Sequence, residues 1–419
     1  DYQERIAKDA AEILERKKIV CIFAEVRCGK TIMSLQTCHL SKANKVLFIT
    51  KIKAFGSIQK DYDSMNYQFN LTIINRESLH KIETNDFDII IIDEVHGIGG
   101  AYPKPSVYAK EIKKRFGNIP MIMLSGTPTP ESYSQYYHIF WLSNHSPFND
   151  YPNFYKWAKD FVNVKVKHLG YAQVNDYSEA DIKHINRRIK NHVLTFTQKQ
   201  AGFISTINEL MLEVEMKPIT YQLIDRLKKD LVVKNAQGQV ILADTGVKLQ
   251  QKIHQICSGT CKFEDGSSKV IDFSKAEFIK DNFSEYKIGI FYKFKEEYSA
   301  LKSILGDKLT NDLDEFNSSD KWIALQIQSG REGISLKEAK YLVYYNIDFS
   351  AVSYWQSRDR LTTMDRKENE IFWIFAKNGV ESRIYKTVLG KKDYTLSIFK
   401  KDFNINSEKF KEIPNRLKR

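Results

Sequence analysis

Apolar runs rich in β-branched residues recur along the chain, and each is followed by turn residues or by a helical pattern. Continuous runs of this kind suit strands that are buried on both faces, as in a parallel sheet. Because helical stretches separate the runs, the alternation predicts an open, doubly wound α/β domain. The runs in the first half of the chain are KIVCIFA, KVLFIT, LTIIN, FDIIIID and IPMIMLSGT.

A second set of such runs occupies the second half of the chain. It consists of KIGIFYKF, KWIALQIQS, YLVYYNI and EIFWIFA, with EEYSALKSILG as an intervening helix. A chain of 419 residues is also too long for one ordinary core. We therefore predict two α/β lobes, at 1–142 and 213–400. A connecting, partly helical segment is expected at 143–212, and a basic tail at 401–419.

The composition of the chain indicates which partners and which cellular compartment to expect. No run of about 18 apolar residues occurs, so we expect no membrane span. Five cysteines are few for this length and predict a reducing, cytoplasmic setting without a disulfide framework. The net charge of +12 favours polyanionic partners, although a Lys-rich composition also accompanies an AT-rich genome.

The segment AEVRCGKT, at residues 24–31, follows one apolar run and precedes a helical pattern. That is the setting of a phosphate-binding loop, in which backbone N–H groups surround the phosphates of a nucleotide. Lys30 would reach the β- and γ-phosphates of ATP, and Thr31 would bind Mg²⁺. The other nucleotide-binding candidates are Arg27, Cys28 and Gly29. Ala24 stands where the usual pattern has its first glycine.

Two further segments follow later runs. In FDIIIIDEVH, four isoleucines end at Asp93 and Glu94, where a parallel sheet binds ligands. Asp93 would hold Mg²⁺, and Glu94 would orient and deprotonate the attacking water. In LSGTPTP, Ser125 and Thr127 are candidates for coupling the carboxylates to the γ-phosphate. Taken alone, this last segment is a turn.

These three segments, in this order, resemble motifs I, II and III of superfamily 2 helicases. Residues 328–336 (QSGREGISL) and 346–360 (NIDFSAVSYWQSRDR) resemble motif V and the approach to motif VI in the Swi/Snf-type and phage-type DNA translocase branch. The resemblance implies two RecA-like lobes with an ATP cleft between them. It also implies that Gln3 reads the adenine.

The resemblance assigns two more catalytic residues in the second lobe. Gln356 would lie near the γ-phosphate, and Arg360 would act as the arginine finger. The family pattern has a second arginine three residues later, whereas this chain has Thr363. Arg358 or Arg366 could substitute for it.

The resemblance also suggests residues that contact nucleic acid, through motifs Ia and Ib in the first lobe and IV and V in the second. Because these positions lie on both lobes and are mostly basic or polar, they suit contacts to a phosphate backbone with little sequence preference. The candidates are Lys51, Lys53, Arg76, Ser78, Tyr292, Lys293, Ser329 and Arg331.

The sequence therefore predicts an enzyme that uses ATP and Mg²⁺ to move along nucleic acid, with DNA favoured over RNA. An RNA helicase is an alternative. A nucleotide-dependent nucleic-acid-binding subunit with weak hydrolysis is another, which Thr363 favours and Glu94 opposes.

Overall fold

The computed structural model describes residues 2–169, 172–202, 206–330, 335–358, 360–361 and 368–390. The chain divides into two compact units, Asp1–Phe203 and Ile204–Arg419. In the described part of the chain, no helix is long and apolar enough to cross a membrane.

The first unit contains a parallel sheet that, within the described residues, has six strands in the order β3-β2-β4-β5-β1-β8. A separate antiparallel hairpin is formed by β6 and β7. The strands of this unit are β1 Ile19–Ala24, β2 Lys45–Thr50, β3 Asn70–Asn75, β4 Ile89–Ile92, β5 Met121–Ser125, β6 Lys165–Leu169, β7 Ala172–Asp176 and β8 Val193–Phe196.

Helices cover both faces of this sheet. The α-helices are α1 Tyr2–Lys17, α2 Lys30–Leu40, α3 Phe55–Ser64, α4 His96–Gly99, α5 Val107–Phe116, α6 Tyr136–Trp141, α7 Phe154–Phe161 and α8 Ile182–Ile189. Short 3-10 helices lie at Ile52–Ala54, Arg76–Lys81, Tyr133–Gln135 and Lys190–His192.

The four isoleucines of β4 show why the first sheet is buried on both faces. Successive side chains of a strand point to opposite faces. Ile90 and Ile92 pack in the cluster that contains Trp157 of α7. Ile89 and Ile91 pack in the opposite cluster, with residues of α1 and α2. This arrangement confirms the predicted doubly wound lobe.

The second unit contains a parallel sheet whose described strands are six, in the order β15-β16-β14-β17-β18-β9. Two antiparallel hairpins, β10–β11 and β12–β13, lie outside it. The strands are β9 Thr206–Val214, β10 Val232–Lys234, β11 Val240–Leu242, β12 Thr260–Lys262, β13 Ser268–Val270, β14 Ile288–Tyr292, β15 Leu309–Thr310, β16 Trp322–Gln326, β17 Tyr341–Tyr344 and β18 Glu368–Ala376.

The four apolar runs predicted as strands in the second half of the chain form β14, β16, β17 and β18. Helices accompany the strands of this sheet as well. The α-helices are α9 Pro218–Asp230, α10 Gly246–Cys257, α11 Ser274–Phe283, α12 Lys295–Leu305, α13 Leu313–Ser318, α14 Ile327–Gly330, α15 Ala351–Arg358 and α16 Glu381–Leu389. A 3-10 helix lies at Gly306–Lys308. The predicted second α/β lobe is confirmed.

The segment expected to connect the lobes, 143–212, is divided between the two units. Its aromatic side chains Phe148, Trp157 and Phe161 are buried against the first sheet, in the same cluster as Ile90. β8 then adds an edge strand beside β1. From residue 206 the chain belongs to the second sheet as β9. The expected boundaries at 142 and 213 are thus replaced by one near 203, because burial of the aromatic side chains keeps this segment in the first unit. The expected tail, 401–419, lies outside the described residues.

Candidate functional site

The loop between β1 and α2 has the backbone geometry of an anion site. Gly29 adopts a left-handed conformation, with a φ of +81°, immediately before α2 begins at Lys30. A Cβ atom at Gly29 would lie 2.0 Å from the side-chain nitrogen of Gln3. Glycine is therefore favoured by the left-handed conformation, whereas the Gln3 amide stands at the end of a flexible side chain that can move aside. The first N–H groups of an α-helix have no partner within the helix, so those at the start of α2 suit a phosphate.

Lys30 lies between this loop and the segment after β5. Its ammonium group donates hydrogen bonds to the carbonyl oxygens of Ala24 (2.9 Å) and Glu25 (3.3 Å). A Cβ atom built at Gly126 would lie 3.4 Å from the Lys30 nitrogen. The cation is thus held beside the loop. Thr31, the next residue, is half-buried in the first turn of α2.

Asp93 and Glu94 follow β4 at the same edge of the sheet. The Thr50 hydroxyl donates to Asp93 Oδ2 at 2.9 Å, and the backbone N–H of Glu94 donates to Asp93 Oδ1 at 3.0 Å. Burial and the charge of Glu94 raise the pKa of Asp93 to about 6, although Thr50 and Lys30 act in the opposite direction. An oxygen ligand in this position suits a divalent cation, which would relieve the repulsion between the two carboxylates.

His96 joins the carboxylate pair to the segment after β5. Its Nδ1 atom lies 3.3 Å from Glu94 Oε2 and 3.0 Å from Ser125 Oγ. Ser125 Oγ also accepts a hydrogen bond from the backbone N–H of Thr127 (3.1 Å). Within the described part of the chain, the buried Thr127 hydroxyl has no hydrogen-bond partner. The structure therefore connects Ser125 to Glu94 through a histidine that the sequence interpretation left without a role, and Thr127 contacts Ser125 through its backbone.

Glu94 is held in a strained backbone conformation. Its φ is +46°, a left-handed value that is uncommon for a residue with a side chain. The backbone of Val95 donates to Leu124 of β5 at 3.0 Å, which fixes the chain directly after Glu94. Such strain persists where the surrounding structure imposes it, and it is frequent at functional sites.

The first residues of α1 contact the phosphate loop from outside. The Tyr2 hydroxyl and the Gln3 amide both donate to the Cys28 carbonyl, at 3.3 and 3.5 Å. The Tyr2 ring stacks on Phe196 of β8, with a centroid separation of 4.7 Å. Cys28 itself is buried. Gln3 is thus beside the loop, as the resemblance implies, but its role toward adenine stays a prediction. The Arg27 backbone is left-handed, with a φ of +65°.

Two of the four nucleic-acid candidates in the first unit are exposed. Lys51 and Lys53 follow β2 at the edge that carries Asp93. The Arg76 side chain takes part in contacts within the first unit, because it donates to the Gly97 carbonyl at 2.8 Å and lies over the Tyr108 ring. It thereby supports the turn that follows Glu94. Ser78 is half-buried in the 3-10 helix Arg76–Lys81.

The candidates in the second unit are less open to a nucleic acid. The ammonium group of Lys293 forms an ion pair with Asp348, and its side chain is only 15% exposed. Tyr292 is half-buried. Ser329 lies on α14, and Arg331 falls outside the described residues. Lys293 therefore serves to tie the end of β14 to the segment before α15.

The motif VI region is organised around Glu209 of β9. Arg358 pairs with Glu209 at 3.2 Å. The same carboxylate accepts hydrogen bonds from Tyr354, Trp373 and Tyr385. The Arg358 guanidinium is therefore already paired with an acid of the second unit. This pairing disfavours Arg358 as a replacement for the second arginine of the family pattern.

The other residues of this region are described less completely. Gln356 lies on α15, and the Arg360 side chain is buried, at 6% exposure. Thr363 and Arg366 lie outside the described residues.

Comparison with known proteins identifies a family. The sequence model of the SNF2-related domain matches residues 25–261, which is more than half of the chain. No curated protein matches the sequence.

Two solved structures from Sulfolobus solfataricus resemble the chain. The SWI2/SNF2 ATPase core in complex with dsDNA shares 13% identity, with 99% of this chain and 96% of that chain covered and a TM-score of 0.42. The SWI2/SNF2 ATPase core domain shares 13% identity, with 99% and 92% covered and a TM-score of 0.41.

Asp93→Asn is expected to stabilise the protein in the absence of nucleotide and Mg²⁺. The raised pKa of Asp93 means that the folded state binds the proton more tightly than the unfolded state. The carboxylate therefore costs stability at a pH above about 6, and this cost disappears as the pH falls to about 3.9. Thermal unfolding in a chelator at about pH 8 should show a gain of about 1–3 kcal/mol. The gain should vanish toward about pH 4.

Asp9→Asn, which changes an exposed acid on α1, is the control and should leave the melting temperature nearly unchanged. A lower melting temperature for Asp93→Asn than for the wild type at about pH 8 would contradict the electrostatic account of Asp93.

Proposed function

Because the chain belongs to the SNF2-related family, whose ATPases form part of helicase superfamily 2, we propose that it hydrolyses ATP to translocate along DNA. The observation that carries the proposal is the edge of the first sheet, where the cation of Lys30 and the carboxylates of Asp93 and Glu94 lie together. Contacts to backbone phosphates, with little dependence on base sequence, are the proposed mode of DNA binding.

The residues present fit a Mg²⁺–ATP complex. The loop with its left-handed glycine supplies backbone N–H groups, and Lys30 supplies a cation for the β- and γ-phosphates. Thr31 and Asp93 would hold the metal through oxygen atoms, the ligands that Mg²⁺ prefers. Bound there, Mg²⁺ would offset the negative charge of the phosphates.

Glu94 is the proposed general base. Its carboxylate takes a proton from the water molecule whose oxygen attacks the γ-phosphorus, while the bond to the departing ADP oxygen breaks. The fixed backbone on both sides of Glu94 orients the carboxylate before the reaction. His96 and Ser125 then provide a route from Glu94 to the segment after β5, through distances of 3.3 and 3.0 Å.

The proposed DNA face is the same edge of the first unit. Lys51 and Lys53 are exposed there, and Thr50, the residue before Lys51, donates to Asp93. A phosphate contact at Lys51 would therefore be connected to Asp93, a proposed metal ligand, through the neighbouring residue Thr50 and its hydrogen bond to the carboxylate. This short connection offers a physical route by which DNA would influence hydrolysis. The net charge of +12 supports attraction to a polyanion.

Glu94→Gln should strongly lower turnover while retaining ATP binding, because the amide cannot accept the proton. The expected loss in phosphate release is at least ~10²-fold, measured with and without duplex DNA. Lys30→Ala should weaken ATP binding as well. Glu83→Gln, an exposed glutamate before β4, is the matched control and should behave like the wild type. Normal turnover in Glu94→Gln would exclude Glu94 as the base.

The two arginines of the motif VI region should differ in what they affect. Arg360→Ala is expected to lower DNA-stimulated turnover by ~10²–10⁵-fold with ATP binding largely kept, as for loss of an arginine finger. Arg358→Ala leaves Glu209 without its cation and should instead lower stability by about 1–3 kcal/mol, with turnover retained.

Single-turnover hydrolysis and thermal unfolding separate these two effects. Arg366→Ala completes the series, with an effect on turnover smaller than that of Arg360→Ala. If Arg360→Ala hydrolyses ATP like the wild type while Arg366→Ala is inactive, the finger has been assigned to the wrong arginine.

A further inference from the structure

A turn at Thr197–Gly202 lies directly after β8, the edge strand of the first sheet. It is the last described part of the first unit, which ends at Phe203 before the second unit begins at Ile204. The chain therefore passes from one unit to the other immediately after this turn.

Gln198 of this turn forms hydrogen bonds with two successive residues of the phosphate loop, Glu25 and Val26. The backbone N–H of Gln198 donates to the Glu25 carboxylate at 2.7 Å, and the Gln198 side-chain amide donates to the Val26 carbonyl at 2.9 Å. The backbone of Glu25 in turn donates to the carbonyl of Phe196 at 2.9 Å. Three hydrogen bonds thus join segments that are more than 170 residues apart in the sequence.

The turn has its own support, which does not use the Gln198 side chain. The Gln200 side chain accepts hydrogen bonds from the N–H and the hydroxyl of Thr197, at 2.9 and 3.1 Å. The backbone of Ala201 donates to the Thr197 carbonyl at 3.1 Å. The Gln198 amide group is therefore directed at the phosphate loop rather than used to form the turn.

Lys30 makes this contact important during the reaction. In the structure Lys30 donates to the carbonyl oxygens of Ala24 and Glu25. A lysine that turned toward bound phosphates would release these two carbonyls. The hydrogen bonds of Glu25 and Val26 with Phe196 and Gln198 do not involve Lys30 and would still hold the first residues of the loop.

We infer that Gln198 is a positioning residue for the phosphate loop, and that it links nucleotide binding to the segment through which the chain enters the second unit. The inference rests on the proposed function, because it assumes that the loop binds ATP. A nucleotide that orders the loop would, through Gln198, also order the turn at Thr197–Gly202.

Gln198→Met tests this role, because methionine keeps the length of the side chain and removes its amide. The variant should bind ATP about tenfold more weakly, as expected for one lost hydrogen bond to a positioned carbonyl. Turnover at saturating ATP should be much less affected. Gln200→Met is the matched control in the same turn and should leave ATP affinity near that of the wild type.

Amide hydrogen exchange supplies a second measurement. If Gln198 only stabilised the fold, its substitution would not remove the effect of nucleotide on the exchange rate of the turn. In the wild type, a non-hydrolysable ATP analogue should slow exchange at residues 197–202. This effect should persist in Gln200→Met and be lost in Gln198→Met at a saturating concentration of the analogue. Melting temperatures establish that both variants are folded.

Unchanged affinity and unchanged exchange in Gln198→Met would overturn the inference. Equal weakening in the two variants would also overturn it, because a general loosening of the turn would then explain the effect. Binding and exchange are measured without DNA and without hydrolysis. A failure of the proposed function would appear as absent turnover in the wild type, and it can therefore be distinguished from a failure of the inference about Gln198.

Discussion

The parallel pairing of β1 with β5, and of β5 with β4, is the constraint on which the rest of the site depends. In this register Phe23 lies beside Ser125, and Ile92 lies beside Met123. Because parallel strands end at the same edge, the segments that follow them converge there. The phosphate loop, the carboxylate pair and the Ser125 turn thus meet although they are far apart in the sequence. Burial of both faces of the sheet stabilises this register.

The site concentrates charge in a buried place, and this opposes stability. Asp93 is buried beside a second carboxylate, and its pKa is raised for that reason. Lys30, Thr50 and the Glu94 backbone offset the cost only in part. Together with the left-handed Glu94, this makes the edge a strained region within a well-packed lobe. Such strain is frequent at functional sites.

Much of the fold, and the meeting of the candidate site residues at one edge of the first sheet, could be predicted because the signals are local. A run such as FDIIIIDEVH shows both the buried strand and the carboxylates at its end. The short strand β8 and Gln198 were missed, because their importance comes from pairing with β1 and Glu25, far away in the sequence. The aromatic segment after residue 142 looked like a connection, since only tertiary packing shows that it covers the first sheet.

Basic residues were the hardest to interpret from the sequence. Lys293 and Arg358 stand in or near motif-like segments, but each is paired with an acid from another element of the second unit. A sequence gives no indication of which lysine has a buried partner. The exposed Lys51 and Lys53 remain consistent with a phosphate contact, and their role stays a prediction.

The measurement that tests the central claim most directly is the rate of ATP turnover by the wild-type chain on duplex DNA, single-stranded DNA and RNA of equal length. Duplex DNA should raise the rate most, and the stimulation should decline as salt screens the phosphate contacts. Turnover that is independent of nucleic acid, or that is stimulated most by RNA, would contradict the proposal that this chain is a DNA translocase.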